Sequence, residues 1–198
     1  MHLSEIKQQL KQNLKPERYE HTLGVMYTAA ALAMRYDEKI EDALLGGLLH
    51  DCAKYGSIAE QIARCEQYGL QLEPSDLEIP ALIHAKLGAK VAERDYEITS
   101  TKILNAILYH TTGRPKMTKL EQIVYLADYI EPGRSMISGL EQIRKAAFVD
   151  MDEAVALSAK NTLSFLERKG RSIDPLTVQT YEYYYKNKKH KKHSKEKR

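Results

Sequence analysis

Four histidines lie away from the chain ends, His21, His50, His84 and His110, and one of them directly precedes an acid as His50-Asp51. A further carboxylate, Asp128, sits in the apolar stretch YLADYI. Imidazole and carboxylate together suit Fe, Mn, Co, Ni or Zn, and not Ca, which takes oxygen ligands alone. Neighbouring helical residues point about 100° apart, so His50 and Asp51 can share a centre only at a helix edge. The expected metal set is His21, His50, Asp51 and Asp128, with positions left for water and substrate. His84 and His110 stand beside it. A single histidine of this kind is usually a core residue bonding a carbonyl; four of them on apolar helices point to one centre.

The cations nearby indicate what such a centre would act on. Lys54 follows the His50-Asp51 pair by one helical turn, Arg18 precedes His21 by three residues and shares its face, and Arg134 and Arg114 closely follow Asp128 and His110. Converging guanidinium and ammonium groups suit a substrate with several phosphates, although each could be a surface charge, Arg114 most readily. A divalent metal lowers the pKa of bound water from about 15.7 towards 7, which provides hydroxide for attack on phosphorus without a nucleophilic Ser or Cys.

Helices must carry these groups, because the apolar periodicity is helical nearly throughout and no alternating strand pattern is found. Helices are expected over 4–14, 16–36, 40–54, 57–68, 80–95, 99–112, 118–131 and 139–168, with a last one from Asp174-Pro175. Residues 69–80 read as a loop. The segment LLGGLLHDCAKY is apolar on nearly all sides, as a central buried helix would be. Pro16 suits a first helical turn, and Gly113 and Pro115 supply a stop after His110.

The fold class is therefore all-α, and 198 residues of which 43% are hydrophobic suffice for one sizeable core. We expect a single domain over 1–185 and a basic, disordered tail over 186–198. That tail holds eight Lys/Arg and one Glu, a net of +7 in a chain of +3, which leaves residues 1–185 at −4. The cations around the centre are thus local, and the tail offers only nonspecific contact with acidic surfaces. Cys52 and Cys65 read as packing residues of a reducing compartment. With no apolar run of bilayer length and no secretory signal, a cytoplasmic protein without a membrane or specific nucleic-acid partner is expected. The tyrosines 181, 183, 184 and 185 are read as packing on the terminal helix.

The ordered set His21, His50-Asp51, His84, His110 and Asp128 resembles the HD-domain metal-dependent phosphohydrolases. The strings RYEHTLGV at 18–25, GLLHDCAK at 47–54, IHAKLGA at 83–89, YHTTGRPKMT at 109–118 and YLADYIEPGR at 125–134, with Ile173-Asp174-Pro175 and Thr177, are similar to the YqeK family of that group. The resemblance covers all but the tail. It implies an HD-type helical fold and a symmetrical bis(5′-nucleosyl)-tetraphosphatase that uses iron to split diadenosine tetraphosphate into two ADP. It further implies that His21, His50, Asp51 and Asp128 bind the iron, with His84 and His110 either holding a second metal or touching phosphate. Arg18, Lys54, His84, His110, Thr111 and Arg134 would contact the phosphates, His21 and Asp128 would adjoin them, and Arg171, Ser172, Ile173, Asp174, Pro175 and Leu176 would wall the nucleoside. His50, Asp51, Lys54, His84 and His110 would be the catalytic group. A nucleoside monophosphate phosphatase and a non-catalytic nucleotide-binding module are the other readings, and a homodimer is compatible with the Ala- and Leu-rich faces.

Overall fold

The computed structural model describes the backbone of residues 1–135 and 137–195 and the side chains of 1–135 and 137–186. The helices are α1 (Leu3–Asn13), α2 (Pro16–Tyr36), α3 (Ile40–Leu49), α4 (Ile58–Gln67), α5 (Pro74–Glu78), α6 (Ile83–Asp95), α7 (Thr101–Leu108), α8 (Lys119–Ile130), α9 (Leu140–Ala147), α10 (Met151–Arg168) and α11 (Pro175–Lys195). A 3-10 turn, Pro80–Leu82, leads into α6. There is no strand among the described residues, so the all-α architecture holds. No helix among them is long and apolar enough to cross a membrane.

The apolar segment forms the centre. Helix α3 packs against α2, α7 and α8, and Ala43, Leu48 and Leu49 are fully buried. Gly47 lets α2 and α3 approach closely: a Cβ there would lie 2.9 Å from the Met26 Cα, so any side chain would push the two helices apart. Helix α6 packs on α7, α4 on α6, and α10 pairs with α11 while also touching α8. Thr118 caps α8 through a capping box with Glu121, and Ser57 caps α4 with Glu60 in the same way.

Four expectations about elements need correction, the first being the helix expected over 99–112, which stops at Leu108. The helix expected over 40–54 ends at Leu49, and tight turns follow, with Cys52 N–H donating to Leu49 O and Lys54 N–H to Asp51 O. The helix expected over 139–168 is two, because Asp150 takes an extended conformation and its side chain accepts from Glu153 N–H, starting α10 afresh. The loop expected over 69–80 contains α5, begun by Pro74. Cys52 and Cys65 are buried free thiols, in keeping with packing roles. Tyr184 is buried and its hydroxyl accepts from Met117 N–H, as packing requires. The basic run begins inside α11; its side chains from 187 on and residues 196–198 lie outside the described residues, and with them the expectation of a disordered tail.

Candidate metal centre

The end of α3 shows how adjacent residues come to share one centre. His50 and Asp51 stand in the turn just past Leu49, both buried, at the edge of α3 where the two side chains can reach one centre. His50 Nε2 lies 3.3 Å from Asp51 Oδ2 and 3.9 Å from Asp128 Oδ1. His21, on α2, has its Nε2 3.0 Å from the same Asp128 oxygen. On the far side of Asp51, Oδ1 lies 3.2 Å from His84 Nε2 and 3.5 Å from His110 Nε2, and those two nitrogens are 3.3 Å apart. All six residues of the sequence pattern are brought together.

The tautomers follow from the outer nitrogens. Nδ1 of His50, His84 and His110 lies 2.8, 2.7 and 2.7 Å from the carbonyl oxygens of Gly47, Ala81 and Ile107. A carbonyl only accepts, so each Nδ1 must donate, and the neutral ring then turns an unprotonated Nε2 inward. Burial, opposed in part by a hydrogen bond with Asp51, lowers the His84 pKa to about 4, so that ring is neutral at pH 7. Lone pairs of His84, His110 and Asp51 therefore face one another at contact distance, which is repulsive unless a cation lies among them. Asp51 Oδ1 itself, and on the other side His21 Nε2 and His50 Nε2, are buried polar atoms without a hydrogen-bond partner. Three groups offer one ligand atom each within 4.8 Å of one another: His21, His50 and Asp51; His50, His110 and Asp128; and Asp51, His84 and His110. The donor set fits a divalent transition metal, and Asp51 lies between two places for one.

The carboxylates are held ionised. Burial alone would raise Asp51, but His50, His110 and His84 outweigh it and keep the group well below the ordinary range. Burial of Asp128 is likewise outweighed by the closeness of His21 and the charge of Arg134. For His21, burial favours the neutral ring, yet Asp128 and Glu131 more than offset it and the pKa rises.

The expected cations divide unequally. Arg18 donates Nη1 to Asp51 Oδ2 at 2.9 Å, and Lys54 Nζ lies 3.3 Å from Asp51 Oδ1. Arg134 donates Nε to the Asp128 carbonyl at 2.9 Å and Nη2 to Asp128 Oδ1 at 3.0 Å. Arg114 is bound elsewhere, in a two-pronged pair with the buried Glu121 at 2.9 and 2.6 Å and over the Tyr109 ring. Its place beside His110 in sequence is not a place in the centre, because the chain turns at Gly113, whose φ is +65°.

Two recesses adjoin the centre and share Arg134 and Ser135. One, of about 320 Å³, is lined by Lys15, Arg18, His21 and Glu131. The other, of about 500 Å³, has Tyr129, Asn161, Phe165 and Arg168 in its wall. Arg171 lies over Phe165, 5.8 Å from the ring centroid, so the segment 171–176 starts next to the second recess. Asp174 Oδ1 accepts from Leu176 N–H at 2.7 Å and shapes the entry to α11. Arg171, Ser172 and Pro175 are exposed, and Ile173, Asp174 and Leu176 half-buried. Thr111 is half-buried directly after His110, and Thr180 ties α11 to the same turn by donating to Thr112 O at 3.0 Å.

Sequence reasoning missed Glu131, whose Oε1 lies 3.0 Å from His21 Nδ1. The signal was available, since Glu131 follows Asp128 by three residues and so falls on its face of α8. Reading EPGR as a helix stop hid it.

Comparison with known proteins accords with this geometry. The HD domain family matches residues 18–133. The chain is 40% identical over 176 residues to a Bacillus subtilis protein named symmetrical bis(5′-nucleosyl)-tetraphosphatase, covering 88% of this chain and 92% of that one. It is 37% identical over 188 residues to a Staphylococcus aureus protein of the same name, covering 93% and 95%. A Clostridium acetobutylicum crystal structure described as a "predicted HD superfamily hydrolase involved in NAD metabolism" superposes with a TM-score of 0.90 at 40% identity, covering 94% of this chain and 98% of that one.

Proposed function

The chain belongs to the HD domain family, and on that premise we propose that it hydrolyses diadenosine tetraphosphate symmetrically to two ADP, as the names of its Bacillus and Staphylococcus relatives imply. The observation that carries the metal-dependent reading is the convergence of His21, His50, His84 and His110 ring nitrogens and the Asp51 and Asp128 carboxylates within ligand distance, with His21 Nε2, His50 Nε2 and Asp51 Oδ1 buried and unpartnered. His21, His50, Asp51 and Asp128 would hold one divalent ion, and His84 and His110 a second beside Asp51. Iron is our proposed native metal, with Mn, Co, Ni or Zn as substitutes the donor set would accept. A metal held there polarises phosphoryl oxygens and acidifies bound water.

The chain's own groups do the rest. Asp51 and Asp128 stay ionised and fix negative charge at the centre, while the Nδ1 bonds hold the rings in the ligating tautomer. Arg18, Lys54 and Arg134, at the rim, neutralise phosphate oxygens and the charge that develops on the departing ADP. ADP leaves as a phosphate anion and needs no proton from a general acid. The tetraphosphate would cross the recess of Arg18 and Arg134, and one nucleoside would enter the recess of Tyr129 and Phe165, with Arg171 to Leu176 closing it. Its volume is in the range of small-molecule sites.

The direct test is turnover of diadenosine tetraphosphate by chelator-treated protein before and after Co²⁺ is restored. ADP as the product, formed only with the metal, supports the reading. Inert tetraphosphate combined with release of phosphate from AMP would shift the assignment to a nucleoside monophosphate phosphatase.

A further inference from the structure

We propose that Glu131 is a positioning residue of the metal centre: it takes up the Nδ1–H of His21 and thereby keeps that ring's Nε2 lone pair free as a metal ligand beside Asp128. The proposal rests on the metal-centre reading above. Glu131 caps the C-terminal end of α8 and is 3% exposed. A carboxylate there is disfavoured twice, by burial and by the negative end of the helix dipole, so it requires specific partners. It has them: Oε1 stands 3.0 Å from His21 Nδ1, and Oε2 accepts from Gly133 N–H at 2.5 Å. The other three histidines of the centre use backbone carbonyls for the same purpose. His21, inside α2, is served instead by a side chain.

The surroundings hold this acid in place. Arg144, from α9, donates to the carbonyl oxygens of Ile130 and Glu131, both at 2.9 Å, and pins the end of α8. Across from it stands Gly24, one turn beyond His21 in the middle of α2. A Cβ on Gly24 would lie 2.5 Å from Glu131 Oε2. Glycine inside a helix is less favourable than alanine, and here the missing side chain is the space through which Glu131 reaches His21. Carboxylate, glycine gap and imidazole thus form one device.

Glu131→Gln separates this role from simple packing. The amide has one acceptor where the carboxylate has two. If it accepts from His21, its NH₂ meets Gly133 N–H; if it accepts from Gly133, its NH₂ drives the proton of His21 to Nε2, where a ligand lone pair is needed. We expect Co²⁺ affinity, read by competition with a chromophoric chelator, to fall about 10–100-fold, while the metal-free variant melts within a few degrees of the parent. Gly24→Ala should lose affinity in the same range despite the better helix former, and should cost nothing further in the Glu131→Ala background. Affinity within twofold of the parent in Glu131→Gln, or additive losses in the double variant, would overturn the proposal. A parent protein that binds no Co²⁺ would instead overturn the metal-centre reading, and the proposal with it.

Discussion

Asp51 Oδ1 faces His84 Nε2 at 3.2 Å inside the protein, while the other oxygen of the same carboxylate faces His50 and Arg18. One side chain therefore serves both halves of the centre. Asp51→Asn would remove the shared charge, and we expect turnover to fall at least about 10³-fold, as for loss of a group that acts only through the assembled site. Metal analysis of the purified variant should find both sites depleted. The metal-free variant should melt below the parent, since Arg18 and Lys54 lose the buried carboxylate that pairs them.

The two halves should also be separable. His84→Gln and His110→Gln leave His21, His50, Asp51 and Asp128 intact, so a titration with Co²⁺ should show one ion bound in these variants against two in the parent. His50→Gln should weaken binding at the half that His84 does not touch. One ion in the parent as in the variants would exclude a dinuclear centre.

Acid should weaken the metal-free protein through His84. The unfolded chain takes up a proton on this residue below about 6.5, whereas burial delays uptake in the folded protein to about 4. Between those values the unfolded state binds more protons, so stability falls as pH drops through this window and this group contributes no slope above it. His21, raised, acts in the opposite sense: its contribution is complete at low pH and is lost as pH rises through its folded value. Urea unfolding in chelator at pH 7, 5.5 and 4.5 should give an acid slope that is shallower in His84→Gln. An unchanged slope would exclude this role for His84.

Helix positions and the six metal-type residues were legible because apolar period and residue order survive in a single sequence. Two things were not. The break between α9 and α10 depends on whether Asp150 caps or continues a helix, and the apolar period runs across Ala147 to Met151 without marking the choice. The turn at His50 to Ala53 depends on α6, whose Gly88 accepts a thiol contact from Cys52 in a different part of the chain.

Arg114 tests the separation of structural from functional cations. Arg114→Ala would leave Glu121, which is 1% exposed, with an unmatched carboxylate, at a cost of about 1–3 kcal/mol. Chemical denaturation should register that loss while kcat/KM for the tetraphosphate stays within about twofold. Arg134→Ala should do the reverse, raising KM about tenfold or more through the lost phosphate contact. Comparable kinetic losses in both would place Arg114 back among the substrate groups.

The proposed reaction is metal-dependent attack of water at the second phosphorus from one end. Hydrolysis of diadenosine tetraphosphate in ¹⁸O-water, followed by mass spectrometry, tests it most directly. ADP is expected as the nucleotide product, with one label on the β-phosphate of half the molecules and no reaction in chelator. Label in AMP, or ATP among the products, would contradict it.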